Sequence, residues 1–443
     1  MVVICHAGPA ISEPLEDRLR GLGYENVAVE AHGDSMLVVW CENRRARYVP
    51  EWILHALYVS AKNARESFGD QARVRLIAQK FAQPVVLLEA SAGAVVRWMN
   101  GRLSSEMFRD SLDVRFSGGS RAVRRTNSSL RRVDMAVGPG RLLYELNVPN
   151  SFLNMQLDVS GEFSTALAPG LDAYGRFFVP LHRIGDRSSS DYRYGEIRPG
   201  SMMLSYFRSL GSPSAFATVT VGAFELGNSL HDSYGAVIDV HQFSTDGVWS
   251  IGGQVGYLGY LTYEVSNGQF GHRRIWRIGN EAPDRMPYSG MVTYRFSPAD
   301  LIITARWGRF LGGDRGWRMD IDRRFGEIGL AIFGIKSDGR YWDADRVDRE
   351  NVRLLGGVRI RIPLGPRRNG MPDRFRVRST DFLEWYYRYR PGNVGIDVAT
   401  KHQVRDIVDG YHPTTIENNL GRVRKLLKSS ILGRREELGS TNR

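Results

Sequence analysis

Asp320 and Asp322 are the acids whose types and spacing come nearest to catalysis in this sequence. On an extended strand, residues two apart share a face, which sets the two carboxylates at roughly 7 Å. That spacing overlaps the separations of paired acids in glycoside hydrolases. Arg318 and Arg324 stand in the same row, however, and guanidinium groups beside a carboxylate favour ion pairing over proton transfer. The row therefore reads as an ion-pair network with no catalytic residue. The alternative is a carbohydrate-active β enzyme acting on an acidic polysaccharide through the same two aspartates. Other chemistry is not signalled. There is no Gly-rich phosphate loop, no Gly-x-Ser-x-Gly elbow and no cysteine pair for a metal. His182, His231, His241, His272, His402 and His412 are scattered, so neither a metal nor a cofactor is expected.

The element that holds Asp320 and Asp322 is an alternating strand. In Trp317–Phe325 one parity carries Trp317, Met319, Ile321, Arg323 and Phe325, and the other carries Arg318, Asp320, Asp322 and Arg324. Leu354–Leu364 repeats the scheme, with Leu354, Val358, Ile360, Ile362 and Leu364 against Arg353, Leu355, Gly357, Arg359 and Arg361. A period of two fits both segments, whereas a helical period would mix the faces. Phe152–Phe163 and Ile251–Val265 alternate too, and fifteen residues exceed the usual strand of soluble sheets. Further candidates are Tyr174–Leu181, Ser201–Arg208, Ala215–Phe224, Tyr234–Phe243, Tyr288–Phe296, Leu301–Phe310, Glu327–Lys336 and Asp381–Tyr389. About 12–16 such strands suffice to close a cylinder. Phe296–Asp300 and Phe325–Glu327 are tight turns, whereas Asp186–Pro199 and Ser337–Asn351 are long and charged, an asymmetry typical of outer-membrane barrels.

The chain has 443 residues, a formal net charge of +12, 48 Gly, 9 Trp, 19 Tyr and 19 Phe. Gly and aromatics outside helical patterns favour β-rich architecture with tight bends. The excess positive charge comes mainly from Arg, which suits forked contacts to carboxylates, phosphates or sulfates. A nucleic-acid partner is not expected, because the basic residues lie among alternating strands without a recognition motif. No apolar run is long enough for a spanning helix, which leaves a membrane barrel open. The two cysteines, Cys5 and Cys41, make no disulfide framework. The opening residues lack the basic start and apolar core of an export signal, so an N-terminally truncated chain is expected.

Residues 1–117 differ from the rest. Helices are expected at Glu13–Leu22, Glu51–Ser67 and near Ala94–Asn100. Strands are expected at Val27–Glu30, Met36–Cys41, Arg73–Gln79, Val85–Glu89 and Leu112–Phe116. This mixture makes a small α+β module. Residues 118–132 form a basic linker with Arg121, Arg124, Arg125, Arg131 and Arg132, either solvated or touching anionic headgroups. The barrel is assigned to 133–400, with a further strand at Asn393–Thr400. Residues 401–443 form a basic tail, with a helix at Thr415–Leu432 that suits a membrane surface, a partner or solvent.

A closed sheet with its greasy parity outward would direct inward Arg295, Arg306, Arg318, Arg324, Arg353, Arg359 and Arg361 against Asp158, Glu162, Asp239, Asp320 and Asp322. Such a lumen suits a hydrated acidic polymer. The candidate ligand-binding residues are Arg318, Asp320, Asp322, Arg324, Arg353, Arg359 and Arg361.

Trp307-Gly308-Arg309-Phe310-Leu311-Gly312-Gly313-Asp314-Arg315-Gly316, the strand Asp320–Phe325 and the closing Arg361-Ile362-Pro363-Leu364-Gly365 resemble the C-terminal barrel of the YjbH-like exopolysaccharide and capsule proteins. Leu22-Gly23-Tyr24-Glu25-Asn26-Val27 and Gly101-Arg102-Leu103-Ser104 extend the resemblance into the N-terminal part. It covers about residues 15–410. It implies an outer-membrane β-barrel of a Gram-negative bacterium, often in a lipoprotein family, with its N-terminal module in the periplasm. The implied work is non-enzymatic assistance to exopolysaccharide or capsule production or secretion. The implied partners are outer-membrane lipid, an acidic extracellular polysaccharide and other polysaccharide-export proteins.

Overall fold

The computed structural model describes residues 12–33, 35–117, 127–148, 151–184, 197–224, 233–268, 271–278, 286–311, 313–338, 353–370, 374–388, 400 and 403–429. The described chain is mainly β and contains two sheets, one of five strands and one of fifteen.

The smaller sheet comprises β1 (Glu25–His32), β2 (Met36–Glu42), β3 (Arg73–Lys80), β4 (Gln83–Ser91) and β5 (Asp113–Phe116), in that order. Its helices are α1 (Ser12–Gly21), α2 (Val49–Phe68), α3 (Ala92–Asn100) and α4 (Ser105–Ser111). Local signals set their limits. Pro50 stands in the first turn of α2, Ser91 caps α3 through Ala94 N, Ser104 caps α4 through Met107 N, and Gly101 ends α3 in the left-handed region. β2 and β3 run parallel, and α2 is the crossover between them. Trp52, Ile53 and Leu57 of α2 are buried with Val39, Leu76 and Leu88 of the sheet in one core.

The larger sheet begins with β6 (Val133–Val148), β7 (Ser151–Ala168), β8 (Leu171–Ile184), β9 (Arg198–Ser209), β10 (Ala215–Phe224), β11 (Ser233–Phe243) and β12 (Trp249–Gly268). It continues with β13 (Gly271–Ile278), β14 (Tyr288–Phe296), β15 (Leu301–Arg309), β16 (Arg315–Phe325), β17 (Ile328–Ser337), β18 (Arg353–Pro363), β19 (Phe375–Ser379) and β20 (Phe382–Arg388). Each strand from β6 to β12 pairs antiparallel with the next. One end of β12 then pairs with β13 and the other with β14. The meander resumes to β18, which pairs with β20. β19 pairs with β6, and this pairing is parallel. Thus the two extremes of the strand order, β19 and β20, follow one another in the chain with only Thr380 and Asp381 between them.

On this sheet large apolar side chains stand exposed while several polar ones are buried. Ile251, Trp307, Ile332 and Leu354 are 67%, 64%, 52% and 72% exposed, while Asp158, Asp320 and Thr304 are 0%, 2% and 1% exposed. In β11 and β17 the alternation is regular: Ile238 and Val240 point out while Asp239 and His241 are buried, and Leu330 and Ile332 point out while Ala331 and Phe333 are buried. Curvature demands glycine at Gly308 and Gly316, which pair across β15 and β16. A Cβ at either would sit 2.1 Å from the carbonyl oxygen of Tyr288 or Lys336.

Residues 403–429 form α5 (Val404–Asp409), α6 (Pro413–Asn418) and α7 (420–429). The sequence predicts one helix over Thr415–Leu432, suited to a membrane surface, a partner or solvent. Instead Asn419 interrupts it, and Ile416, Leu420, Val423 and Leu427 are buried in the same core as Trp52 and Phe116. Val404, Val408 and Tyr411 join them, and Tyr411 donates to Gln79 O at 3.1 Å and packs edge-on against Trp52. Asn393–Thr400, apart from Thr400, and residues 118–126 of the basic linker lie outside the described residues. The described end of that linker is pinned to β1: Asn127 donates to Tyr24 O at 2.8 Å and accepts from Val27 N, and Arg132 pairs with Glu25 at 2.8 Å.

Candidate functional site

The polar face of the larger sheet gathers most of the charged residues that sequence spacing singled out. Arg318 forks onto Asp320, with Nε 2.9 Å from Oδ2 and Nη2 2.6 Å from Oδ1. Arg306, from the neighbouring β15, brings Nη2 to 3.9 Å from the same carboxylate. Asp322 receives Arg359 from β18. Arg361 lies 3.6 Å from Glu384 and stacks over Phe382 with its guanidinium 3.7 Å from the ring centre. Arg353 pairs with Ser337 through the β17–β18 ladder, and its side chain falls outside the described set. Both aspartates thus have arginine partners on the sheet.

Arg324 has a partner that sequence spacing missed. It pairs with Asp409 of α5, which also accepts from Arg295 of β14 at 2.8 Å. Burial drives the Asp409 carboxyl towards protonation, but Arg324 and Arg295 outweigh it and hold the group well below the ordinary carboxylate range. A second tie stands on β11, where Asp239 accepts from Val404 N at 2.7 Å and meets His241 Nε2 at 3.2 Å. His412, between α5 and α6, is fully buried. Burial first, and then the charge of Arg295, hold its imidazole well below its usual pKa. Its ring meets Phe116 and Phe243 edge-on, and Nδ1 pairs with Thr414 Oγ1 at 2.9 Å. The signal for this cluster is present in Val404, Ile407, Val408 and Tyr411, which follow helical spacing just before the helix expected at Thr415–Leu432.

The turns at Gly170, Ser297 and Phe325–Glu327 of the larger sheet meet the five-stranded sheet, its β2–α2 loop or the C-terminal helices. Gly170 N donates to Phe81 O at 2.7 Å, Asn418 donates to Ser297 O at 2.9 Å, and Arg422 donates to Phe325 O at 3.2 Å. Arg47 pairs with Glu327 at 2.8 Å, and Phe207, Phe216 and Phe243 share the core that contains Phe116. The anchor of this contact is the β3–β4 turn. Phe81 and Ala82 both have positive φ, 51° and 60°, and both N–H groups donate to Glu42, at 3.0 and 2.9 Å. The paired left-handed residues make a tight hairpin turn at a cost of roughly 1–2 kcal/mol each, which the charge-assisted bonds offset.

Among the described residues no helix is long and apolar enough to cross a membrane, and no cluster of three metal-ligating side chains is found. No protein-family model matches the chain, and no curated protein matches it significantly.

Proposed function

We propose that the larger sheet closes on itself through β19 and β20 into an outer-membrane β-barrel, and that the five-stranded sheet with α1–α4 is a periplasmic α+β module. The observation that carries this reading is the exposed apolar parity set against a buried charged one. Exposing a Leu or Ile side chain to water instead of burying it costs about 1.5–3 kcal/mol, and the exposed rows repeat on most strands. Lipid removes that cost and makes a closed sheet necessary, because an open edge leaves unpaired backbone groups. Strand length agrees: β10, β11 and β14 to β18 have 9 to 11 residues, the length of a tilted crossing strand. The strand order supports closure too, since its extremes are consecutive in sequence. β19 lies beside β6, the first strand of the meander, in parallel, while β20, two residues later, lies beside β18, the last.

Within this reading the protein is a non-enzymatic assistant to the production or secretion of an acidic exopolysaccharide or capsule, working with other export proteins. The resemblance to the YjbH-like proteins and the arginine-rich polar face support it. The near-complete burial of Asp158, Asp320 and Thr304 favours a filled interior over a wide aqueous pore, because side chains lining a wide pore would be exposed. The module would sit at the short-turn rim, with the C-terminal helices between it and the barrel interior.

Membrane fractionation of the full-length gene product tests the reading. Recovery in the outer membrane, dependence on detergent and heat-modifiable migration are expected. Recovery as a detergent-independent soluble protein would overturn it.

A further inference from the structure

The polar face of the larger sheet is unevenly filled. The side chains of Arg318 and Asp320 on β16 are 10% and 2% exposed, whereas those of Arg361 on β18 and Glu384 on β20, direct partners across their ladder, are 36% and 44% exposed. Hydrogen bonding follows the same divide. Arg295, Arg318 and Arg359 each donate to a carboxylate. Arg361 does not: Glu384 stands 3.6 Å from its Nε, too far for a hydrogen bond, and that nitrogen is buried without an acceptor. Glu384 in turn accepts no hydrogen bond among the described residues.

The space beside this pair is open. Register sets Arg324, Gly329, Arg361 and Glu384 in one row across β16, β17, β18 and β20. Among the described residues, a Cβ at Gly329 would meet only the Cβ of Arg361 within 4 Å, at 3.5 Å. The glycine therefore floors a notch between two arginines whose strands lie two ladder spacings apart, roughly 9–10 Å. Asp409, which pairs with Arg324 and Arg295 and lies within the field of Arg361, bounds the far side. Phe382 bounds the near side, with the Arg361 guanidinium 3.7 Å from its ring centre. Stacking of this kind sets the plane of a guanidinium without consuming its N–H groups. A ligand for the notch must bring an acceptor to Arg361 and a donor to Glu384. A sugar acid carries both on one ring, as a carboxylate and its neighbouring hydroxyls. An inorganic anion brings acceptors alone, and Glu384 and Asp409 oppose its charge.

We propose that the notch over Gly329 binds a uronic-acid unit of an acidic polysaccharide, its carboxylate on Arg361 and a ring hydroxyl donating to Glu384. The site rests on the polysaccharide role proposed above and deepens it, because it names the sugar class and places the contact on β17, β18 and β20. Arg forks match carboxylate oxygens, which fixes the orientation of the sugar as well as its charge.

The test titrates the full chain, refolded in detergent micelles, with tetragalacturonate by isothermal calorimetry, and with neutral cellotetraose for comparison. Wild type is expected to bind the acidic tetramer and not the neutral one. Arg361→Gln weakens binding roughly tenfold. Gly329→Ile fills the notch with a residue that suits a strand and abolishes binding while the heat-modifiable band persists. Gly329→Ala gives a smaller loss and serves if the isoleucine variant does not fold. Arg208→Gln, which alters an outward cation on β9, leaves binding unchanged. Unaltered binding by folded Arg361→Gln or Gly329→Ile, equal binding of cellotetraose, or displacement of the tetramer by millimolar inorganic phosphate would each overturn the site. A wild-type chain that never becomes heat-modifiable would overturn the barrel reading itself. A heat-modifiable wild type that does not bind tetragalacturonate overturns the uronate site alone.

Discussion

Arg376 of β19 forks onto both carboxylate oxygens of Asp134 of β6, at 2.8 Å each, across 242 residues of sequence. The two are direct register partners on the buried face of the parallel seam, and Arg376 also donates to Arg44 O at 2.8 Å. The ion pair therefore joins the last part of the sheet to the first and ties both to β2's following loop. Breaking a buried pair leaves a charge uncompensated, at a cost of about 3–5 kcal/mol. Asp134→Asn is accordingly expected to lower the temperature at which the folded, fast-migrating band is lost on heating. The double change Asp134→Leu with Arg376→Met, which removes both charges, is expected to recover much of the loss. Equal thermal stability of Asp134→Asn and wild type would count against a seam under load.

The solvent of the exposed face can be read from one substitution. Ile332 lies mid-strand on β17 and is 52% exposed. In water Ile332→Arg would change stability by no more than about 0.5 kcal/mol. In lipid the same change costs about 2–4 kcal/mol. Urea titration of the protein refolded in short-chain phosphatidylcholine is expected to give the larger value for Ile332→Arg and a near-zero value for Ile332→Leu.

Acid should loosen the C-terminal helices in two steps. His412 is neutral in the fold, its pKa held below the unfolded value of about 6.5, so the unfolded chain binds more protons once pH falls under that value. Stability is then full above about pH 6.5 and falls by up to about 1.4 kcal/mol per pH unit below it. Asp409, whose carboxyl is depressed by Arg324 and Arg295 against the effect of burial, contributes stability present above its ordinary pKa and lost below about pH 4. Protease sensitivity of residues 403–429 across pH 7 to 3 reads both steps. His412→Gln is expected to remove the upper step and leave the lower.

Glu42 and the β3–β4 turn offer a separate test of docking. Glu42→Gln weakens the charge-assisted bonds to Phe81 N and Ala82 N and is expected to cost about 1.5–3 kcal/mol. Ala82→Gly relieves the left-handed φ of 60° and is expected to be neutral or stabilising. A destabilised Ala82→Gly in chemical denaturation would contradict this account of the turn.

Much of the larger sheet was legible because alternation survives where one face meets a uniform environment. Ala215–Phe224 and Tyr288–Phe296 coincide with β10 and β14, and Arg318, Asp320 and Asp322 share a face as spacing required. The first half of β6 was not legible. Gly138-Pro139-Gly140 interrupts its alternation, and the register with β7 shifts between Pro139 and Leu142. β19 was missed because its five residues give too short a run to assert a period, although they join the ends of the strand order. Asp409 was invisible as a site residue because its partners, Arg295 and Arg324, are set beside it only by the packing of α5 against β10 and β11.

The most direct measurement places single nitroxide labels at successive positions of β11 and β17 in bilayers and compares accessibility to oxygen with accessibility to a water-soluble nickel chelate. At Ile238, Val240, Leu330 and Ile332 the account predicts high oxygen and low nickel access, with both low at Asp239, His241, Ala331 and Phe333. Nickel access at the first four equal to that of a water-exposed label would contradict it.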